Sequence, residues 1–336
     1  MTPAAKKKLI TAVKLALTLV VFLFLGRELA KSAEEFRNYE WNLQYGWLCL
    51  AGVFYLAAFF PSSCFWHYAL KQLGQKPAFF LSVKSFYLSQ LGKYVPGKAM
   101  VVLIRSGLVS GPNVKASLAA AAVFYETFTM MAAGAFLSAL IVLLCYAEHW
   151  KFSLLALLVM AASGIPLLPP VFRKVLRILR IGKGDASVQE HLDRLSWRSL
   201  PIGAGLMTVL WLFFGLFLWS AIRGLGIETG PLAAGLPRFV AVTAMAMVLG
   251  FAVPISPGGL GIREAVLAAL LVPWFAAILL FPENSAIQLD AKTLAILVSL
   301  EQRVISIAAE LLAALFFGSE GVCKKLFCGK RNADLD

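Results

Sequence analysis

Two proline-glycine motifs beside cationic residues are the features of this sequence best suited to binding chemistry. The first lies in Ser89 to Arg105 (SQLGKYVPGKAMVVLIR) and the second in Val253 to Leu271 (VPISPGGLGIREAVLAALL). Proline interrupts a helix and glycine exposes backbone N–H groups, so both motifs predict helix breaks that an anion such as phosphate could occupy. The candidate binding residues at the two breaks are Lys93, Pro96, Gly97, Lys98, Arg105, Pro257, Gly258, Gly259, Gly261, Arg263 and Glu264.

Arg263 is the most unusual of these residues, because it stands where a helix is expected to restart. The positive end of the helix dipole disfavours a cation there and favours an acid such as Glu264. A bound phosphate or a nearby acid would offset the charge of Arg263. The alternative is a glycine-rich turn in which Arg263 is simply paired with Glu264 or Glu301.

Polar residues also recur at helical spacing in two otherwise apolar segments. A charge facing lipid costs about 2.5 to 3.5 kcal/mol on insertion scales, so such stripes should face protein or a wet cavity. We expect the stripes and the two breaks to line one cavity, although serines that merely join neighbouring helices are a comparable interpretation. The stripes are Ser82, Ser85, Ser89 and Lys93 in the first segment, and Ser299, Arg303, Ser306 and Glu310 in the second.

Each motif is followed by a long predicted helix that carries an acidic residue. Glu126 lies on the long helix predicted after the first motif, and Glu301 on the one after the second. We expect Glu126 to be a counter-ion for Arg105 or Arg263 rather than a proton carrier. Because Pro96 and Pro257 are 161 residues apart (257 minus 96), the pattern suggests an internal duplication, with candidate halves at residues 40–172 and 199–317.

The elements that position these residues are predicted to be transmembrane helices. The chain has 336 residues, 60% hydrophobic and only 15% charged, and several apolar runs approach the roughly 20 residues that cross a bilayer. This predicts an all-α polytopic membrane protein whose helices are broken or re-entrant at the two motifs. The predicted spans are Leu9–Leu25, Gln44–Phe60, Phe79–Arg105 (broken), Ala116–Tyr146, Phe152–Phe172, Leu200–Ile222, Phe239–Pro254, Ser256–Phe281 (broken) and Leu294–Phe317.

The net charge of +13 is distributed as in a membrane protein rather than a nucleic-acid-binding protein. Basic residues collect at both termini and in the loop from Arg173 to Arg198, which the positive-inside rule places in the cytoplasm. The expected organisation is one transmembrane domain at residues 1–320, with a short basic tail at 321–336, in a bacterial inner membrane. The five cysteines indicate neither a disulfide framework nor a metal site, and no cofactor is expected.

The strings LGKYVPGK with Arg105, and SPGGLGIREA, resemble the flippase-like membrane domain family. This family is named for the transmembrane region of lysylphosphatidylglycerol synthase, and the resemblance runs from the first helix to about Phe317. It implies about eight transmembrane helices with re-entrant segments, and movement of an amphiphilic lipid across the bilayer. Fewer than twenty residues follow Phe317, so we do not expect the soluble domain that makes lysyl-lipid.

We therefore expect a flippase or transporter for a phosphate-bearing lipid, with no catalytic residue. Lys93, Lys98, Arg105, Arg263 and Arg303 are the candidate phosphate contacts, and Glu126 and Glu301 the balancing acids. Expected partners are an anionic phospholipid or a polyprenyl-phosphate-linked glycan, and also a second copy or a glycosyltransferase. The alternatives are a membrane-embedded glycosyltransferase with Glu34 or Glu35 as base, and a carrier of small solutes.

Overall fold

The structure is a computed structural model that describes residues 43–94, 99–145, 150–178, 186–252, 261–284, 287 and 289–319. Over these residues the protein is helical, and its β-structure is one isolated bridge between Gly111 and Val114. The helices are α1 (Tyr45–Gln72), α2 (Phe79–Ser89), α3 (Ala99–Val109), α4 (Ala116–Cys145), α5 (Trp150–Gly164), α6 (Pro169–Ile178), α7 (Ala186–Asp193), α8 (Ser199–Gly224), α9 (Leu232–Ala252), α10 (Ile262–Ile278) and α11 (Ala291–Gly318). Short 3-10 helices cover Gln90–Tyr94, Ile165–Leu167 and Pro282–Asn284.

Four described helices are long and apolar enough to cross a membrane, namely α1, α4, α8 and α9. A further pair of segments, Leu154–Leu167 and Pro170–Ile178, meets at 70°, which fits either one broken span or a re-entrant loop. Backbone groups in hydrocarbon must be hydrogen-bonded within their own segment, which a helix achieves. The chain is therefore an integral membrane protein with four or five such spans in its described part. The predicted first helix, Leu9–Leu25, lies outside the described residues.

Three predicted spans were wrong in their bounds, and proline is involved in each. The helix predicted to begin at Phe239 begins instead at Leu232 and includes Pro237. The span Phe152–Phe172 is not one helix, because the chain turns between α5 and α6 where Pro166 and Pro169 remove backbone donors. Conversely, the helix predicted to end at Phe60 continues through Pro61 to Gln72. A proline inside a membrane helix is tolerated where neighbouring side chains satisfy the freed backbone groups, and Ser63 donates a hydrogen bond to the Phe60 carbonyl.

The helices that flank each proline-glycine motif pack against each other. Around the first motif these are α2 and α3, and around the second they are α9 and α10. The segments that join these helices, with Pro96, Gly97, Lys98, Pro257, Gly258 and Gly259, lie outside the described residues.

The chain divides into two compact units. Unit 1 comprises residues 1–55, 133–163 and 211–306, and unit 2 comprises residues 56–132, 164–210 and 307–336. The duplication into halves 40–172 and 199–317 stays a prediction. Unit 1 has a core of α8, α9, α10 and α11 side chains that includes Phe239 and Phe275. Unit 2 buries large aromatic side chains, among them Trp66, Phe86 and Tyr125.

Glycines allow close helix packing within each unit. In unit 1, a β-carbon at Gly134 would lie 2.5 Å from the Trp211 ring. In unit 2, one at Gly203 would lie 2.8 Å from both Phe65 and Thr129. Small residues at such positions let membrane helices approach closely, which replaces the hydrophobic driving force that lipid does not supply.

Candidate functional site

Arg105 and Glu126 form a buried ion pair in unit 2. The Arg105 NH1 group donates to Glu126 Oε2 at 2.8 Å, and Arg105 Nε donates to Ser89 Oγ at 2.9 Å. Ser62 Oγ donates to the other carboxylate oxygen of Glu126. The two charged residues are 3% and 2% exposed. The prediction that Glu126 is a counter-ion is confirmed, and its partner is Arg105.

Aromatic rings complete the surroundings of this guanidinium. The Arg105 Cζ atom is 3.9 Å from the centre of the Phe86 ring and 5.5 Å from that of Trp66. A ring face attracts a cation, and it does so most where water is excluded. Arg105 is thus held by a carboxylate, a hydroxyl and two rings, so a phosphate would have to displace existing contacts to bind it.

Lys93 and Arg303 also contact acids. In unit 2 the Lys93 ammonium donates to Glu310 Oε1, and the Glu310 side chain is 2% exposed. In unit 1 the Arg303 NH1 group lies 3.7 Å from Glu264 Oε1. Three of the five candidate phosphate contacts therefore have a carboxylate partner within their own unit.

The polar stripes face protein, as expected. Ser82, Ser85 and Ser89 are each 0% exposed on α2. On α11, Ser299, Arg303, Ser306 and Glu310 are between 0% and 7% exposed. Several of the hydroxyls bind the carbonyl of their own helix, as Ser89 does with Phe86 and Ser306 with Arg303. Burial in protein avoids the cost of exposing these groups to lipid.

The N-terminus of α10 is built around Glu264. Gly261, with a φ of 83°, takes a backbone conformation that suits glycine, and its N–H donates to Glu264 Oε2 at 2.6 Å. The other oxygen of Glu264 faces Arg303. An acid in the first turn also complements the helix dipole. Glu264 is thus engaged by the cap and by Arg303, so the alternative that pairs it with Arg263 is wrong.

Arg263 is left without an acid. The residue is 8% exposed, and the described part of the chain provides no hydrogen bond or ion pair to its guanidinium. Its backbone lies against α9, because a β-carbon at Gly250 would be 3.2 Å from Arg263 Cβ. The side chain therefore carries an uncompensated positive charge at the positive end of a seventeen-residue helix.

Glu301 is the opposite case to Arg263, because it is an acid that no described cation contacts. Both of its carboxylate oxygens are buried and have no hydrogen-bond partner among the described residues, so the alternative pairing with Arg263 is also wrong. Next to it, Gln302 is 1% exposed, and neither atom of its amide group has a partner in that part of the chain. Sequence analysis missed Gln302 and Ser62, although each is a polar residue within a long apolar helix.

The structure places the described candidates in two groups. Unit 1 contains Gly261, Arg263, Glu264, Glu301 and Arg303, whereas unit 2 contains Lys93, Arg105 and Glu126. One cavity shared by both groups stays a prediction, and Glu34 and Glu35 lie outside the described residues. Among the residues that are described, no three acidic, histidine or cysteine side chains lie where they could hold a metal ion.

Comparison with known families adds one finding. A family model described as the lysylphosphatidylglycerol synthase TM region matches residues 11–280, which is more than half of the chain. No curated protein matches the chain significantly.

Proposed function

Because the chain belongs to the lysylphosphatidylglycerol synthase TM region family, we propose that it moves a phosphate-bearing lipid between the leaflets of the bilayer. The lipid is an anionic phospholipid or a polyprenyl-phosphate-linked glycan. Its headgroup binds at the N-terminus of α10, where Arg263 contacts the phosphate.

This proposal rests on the lack of a carboxylate partner for Arg263 among the described residues. Of the candidate cations that the structure describes, Lys93, Arg105 and Arg303 each have a carboxylate, but Arg263 has none. A buried cation without a partner is costly, and the cost is higher where the helix dipole opposes it. A bound anion removes both penalties at once. The position is therefore better explained by a ligand than by a structural role.

The local backbone suits the same ligand. The first N–H groups of a helix have no acceptor within it, and they point at whatever lies beyond the N-terminus. Gly261 N–H donates to the Glu264 carboxylate, and this bond fixes the start of the helix. The bond does not involve the other N–H groups of the first turn. A guanidinium can hold two phosphate oxygens at once, which gives a defined headgroup orientation.

The test compares lipid movement with protein stability. The purified protein is reconstituted into phosphatidylcholine vesicles that contain fluorescent phosphatidylglycerol. A reducing agent added outside bleaches the label in the outer leaflet alone, so further loss of fluorescence measures movement of the lipid from the inner leaflet. We expect Arg263→Ala to lose most of the movement and to melt at or above the temperature of the parent protein. Arg263→Lys should recover only part, because a point charge cannot make the two-pronged contact.

Arg238→Ala is the matched control. Arg238 is an exposed cation of α9 in the same unit, so its loss changes net charge equally without touching the α10 terminus. This variant should move the lipid at the parent rate. Parent-like movement in a well-folded Arg263→Ala protein would overturn the proposed binding role.

A further inference from the structure

The carboxyl group of Glu301 is buried in unit 1 against the end of α8. A β-carbon built at Gly224 would lie 3.4 Å from Glu301 Oε1, so the carboxyl group lies in van der Waals range of this end of the helix. The same position would meet Leu48 of α1 at 2.1 Å. The residues located beside this oxygen are therefore Gly224 and, next to it, Leu48, neither of which supplies a cation.

The charged groups on the surrounding elements are already engaged. On α8, Arg223 is adjacent to Gly224, but its guanidinium donates to Glu228 and lies 5.2 Å from the centre of the Trp47 ring. On α11, Arg303 faces Glu264. The α1 segment at residues 45–55 has no acidic or basic residue, and its titratable groups are two tyrosines and a cysteine.

Burial without a partner decides the protonation state of this group. An ionised carboxylate in a site of low dielectric loses its hydration and gains nothing in return, whereas the neutral acid loses much less. Glu126, Glu264 and Glu310 are also buried, but each contacts a cation. Among the buried acids of the described helices, Glu301 is the one whose surroundings favour the acid form.

We propose that Glu301 is a proton-binding site, and that its uptake and release of H⁺ couple lipid movement to a proton gradient. The step is a simple exchange, in which the carboxylate takes up one proton from water on one side of the membrane and releases it on the other. The coupling rests on the proposed function, but the proton site itself does not. The two are therefore tested separately.

The first experiment measures proton binding without lipid transport. Above about pH 4 an exposed glutamate ionises, so an unfolded chain releases the proton that a buried Glu301 keeps. The parent protein should therefore lose stability as the pH rises, by an increment that Glu301→Gln lacks. We expect the melting temperature of Glu301→Gln to exceed that of the parent by a margin that widens as the pH rises above about 5.

Two controls make this result specific to Glu301. Glu190→Gln removes an exposed acid that pairs with Arg194, so its margin over the parent should not widen with pH. Glu310→Gln makes the same substitution on the same helix but leaves Lys93 without its acid, so it should melt lower than the parent. A margin for Glu301→Gln that does not change with pH would overturn the proton site.

The second experiment measures coupling in the vesicles described above. The observable is the difference in rate of phosphatidylglycerol movement with and without an imposed pH gradient. We expect a clear difference for the parent protein and for Glu190→Gln, and none for Glu301→Gln. A gradient response in Glu301→Gln equal to that of the parent would overturn the coupling role. A parent protein that moves no lipid at all would instead contradict the proposed function, and the melting experiment would still decide the proton site.

Discussion

The buried pair of Arg105 and Glu126 permits a quantitative test of what holds unit 2 together. Removing one member of a buried ion pair leaves the other charge without compensation. This typically lowers the free energy of unfolding by about 3 to 5 kcal/mol. Arg105→Ala should reach the upper half of this range, because it also removes the 2.9 Å hydrogen bond to Ser89 and the contact with the Phe86 ring. Glu126→Ala should fall in the same range, since it leaves the guanidinium without its carboxylate.

The double variant distinguishes pairing from mere packing. With both charges gone, no ion is stranded, so we expect the double substitution to cost about 2 to 3 kcal/mol less than the sum of the single ones. The assay is denaturant unfolding in detergent micelles, followed by circular dichroism. The exposed pair of Arg223 and Glu228 provides the control cycle, with an expected coupling below about 1 kcal/mol. Strictly additive costs for Arg105 and Glu126 would refute the reasoning.

Three further outcomes are expected. Gly134→Val should cost about 1 to 3 kcal/mol in the same unfolding assay, because even a β-carbon would overlap the Trp211 ring, and a fully stable variant would contradict the close packing. Glu264→Gln should lower stability by about 3 to 5 kcal/mol by removing the carboxylate that faces Arg303, so an unchanged unfolding free energy would show that the 3.7 Å contact is unimportant. A cysteine at the exposed Lys174, in a protein without other cysteines, should react with an impermeant maleimide only from the cytoplasmic side, and labelling from outside would reverse the predicted topology.

The helices were predictable from the sequence where long apolar runs are uninterrupted. The bounds expected for α8 and α11 agree with the structure within three residues at each end. Errors arose at Pro61, Pro166 and Pro237. Pro61 and Pro237 are accommodated within helices, whereas Pro166 lies in the turn after one. The local sequence shows that a proline removes a backbone donor, but whether neighbouring groups compensate depends on the tertiary structure.

The candidate site was predictable as a set of residues but not as a set of pairs. Helical spacing correctly predicted that the stripes of α2 and α11 would be buried, because charge and hydroxyl groups avoid lipid. The spacing contains no information on which residue of another helix faces each charge. Lys93 and Glu310 are 217 residues apart, and the partner of Glu264 proved to be Arg303 rather than the adjacent Arg263.

The two unpaired ionisable groups of unit 1, Arg263 and Glu301, have a joint consequence for transport. A phosphodiester headgroup that crosses the membrane alone carries one negative charge, and each elementary charge experiences about 2.3 kcal/mol per 100 mV of membrane potential. A proton bound at Glu301 and moved in the same direction cancels that charge, so the combined step carries no net charge. Arg263 and Glu301 lack a partner among the described residues, and they do not form an ion pair with each other. If they were paired, the Glu301 carboxylate would compete with the phosphate for Arg263, and Glu301 would have a cation that favours loss of its proton. Keeping the two groups apart therefore preserves both a site for the anion and a site for the proton, which is the arrangement that proton-coupled movement of an anionic lipid requires.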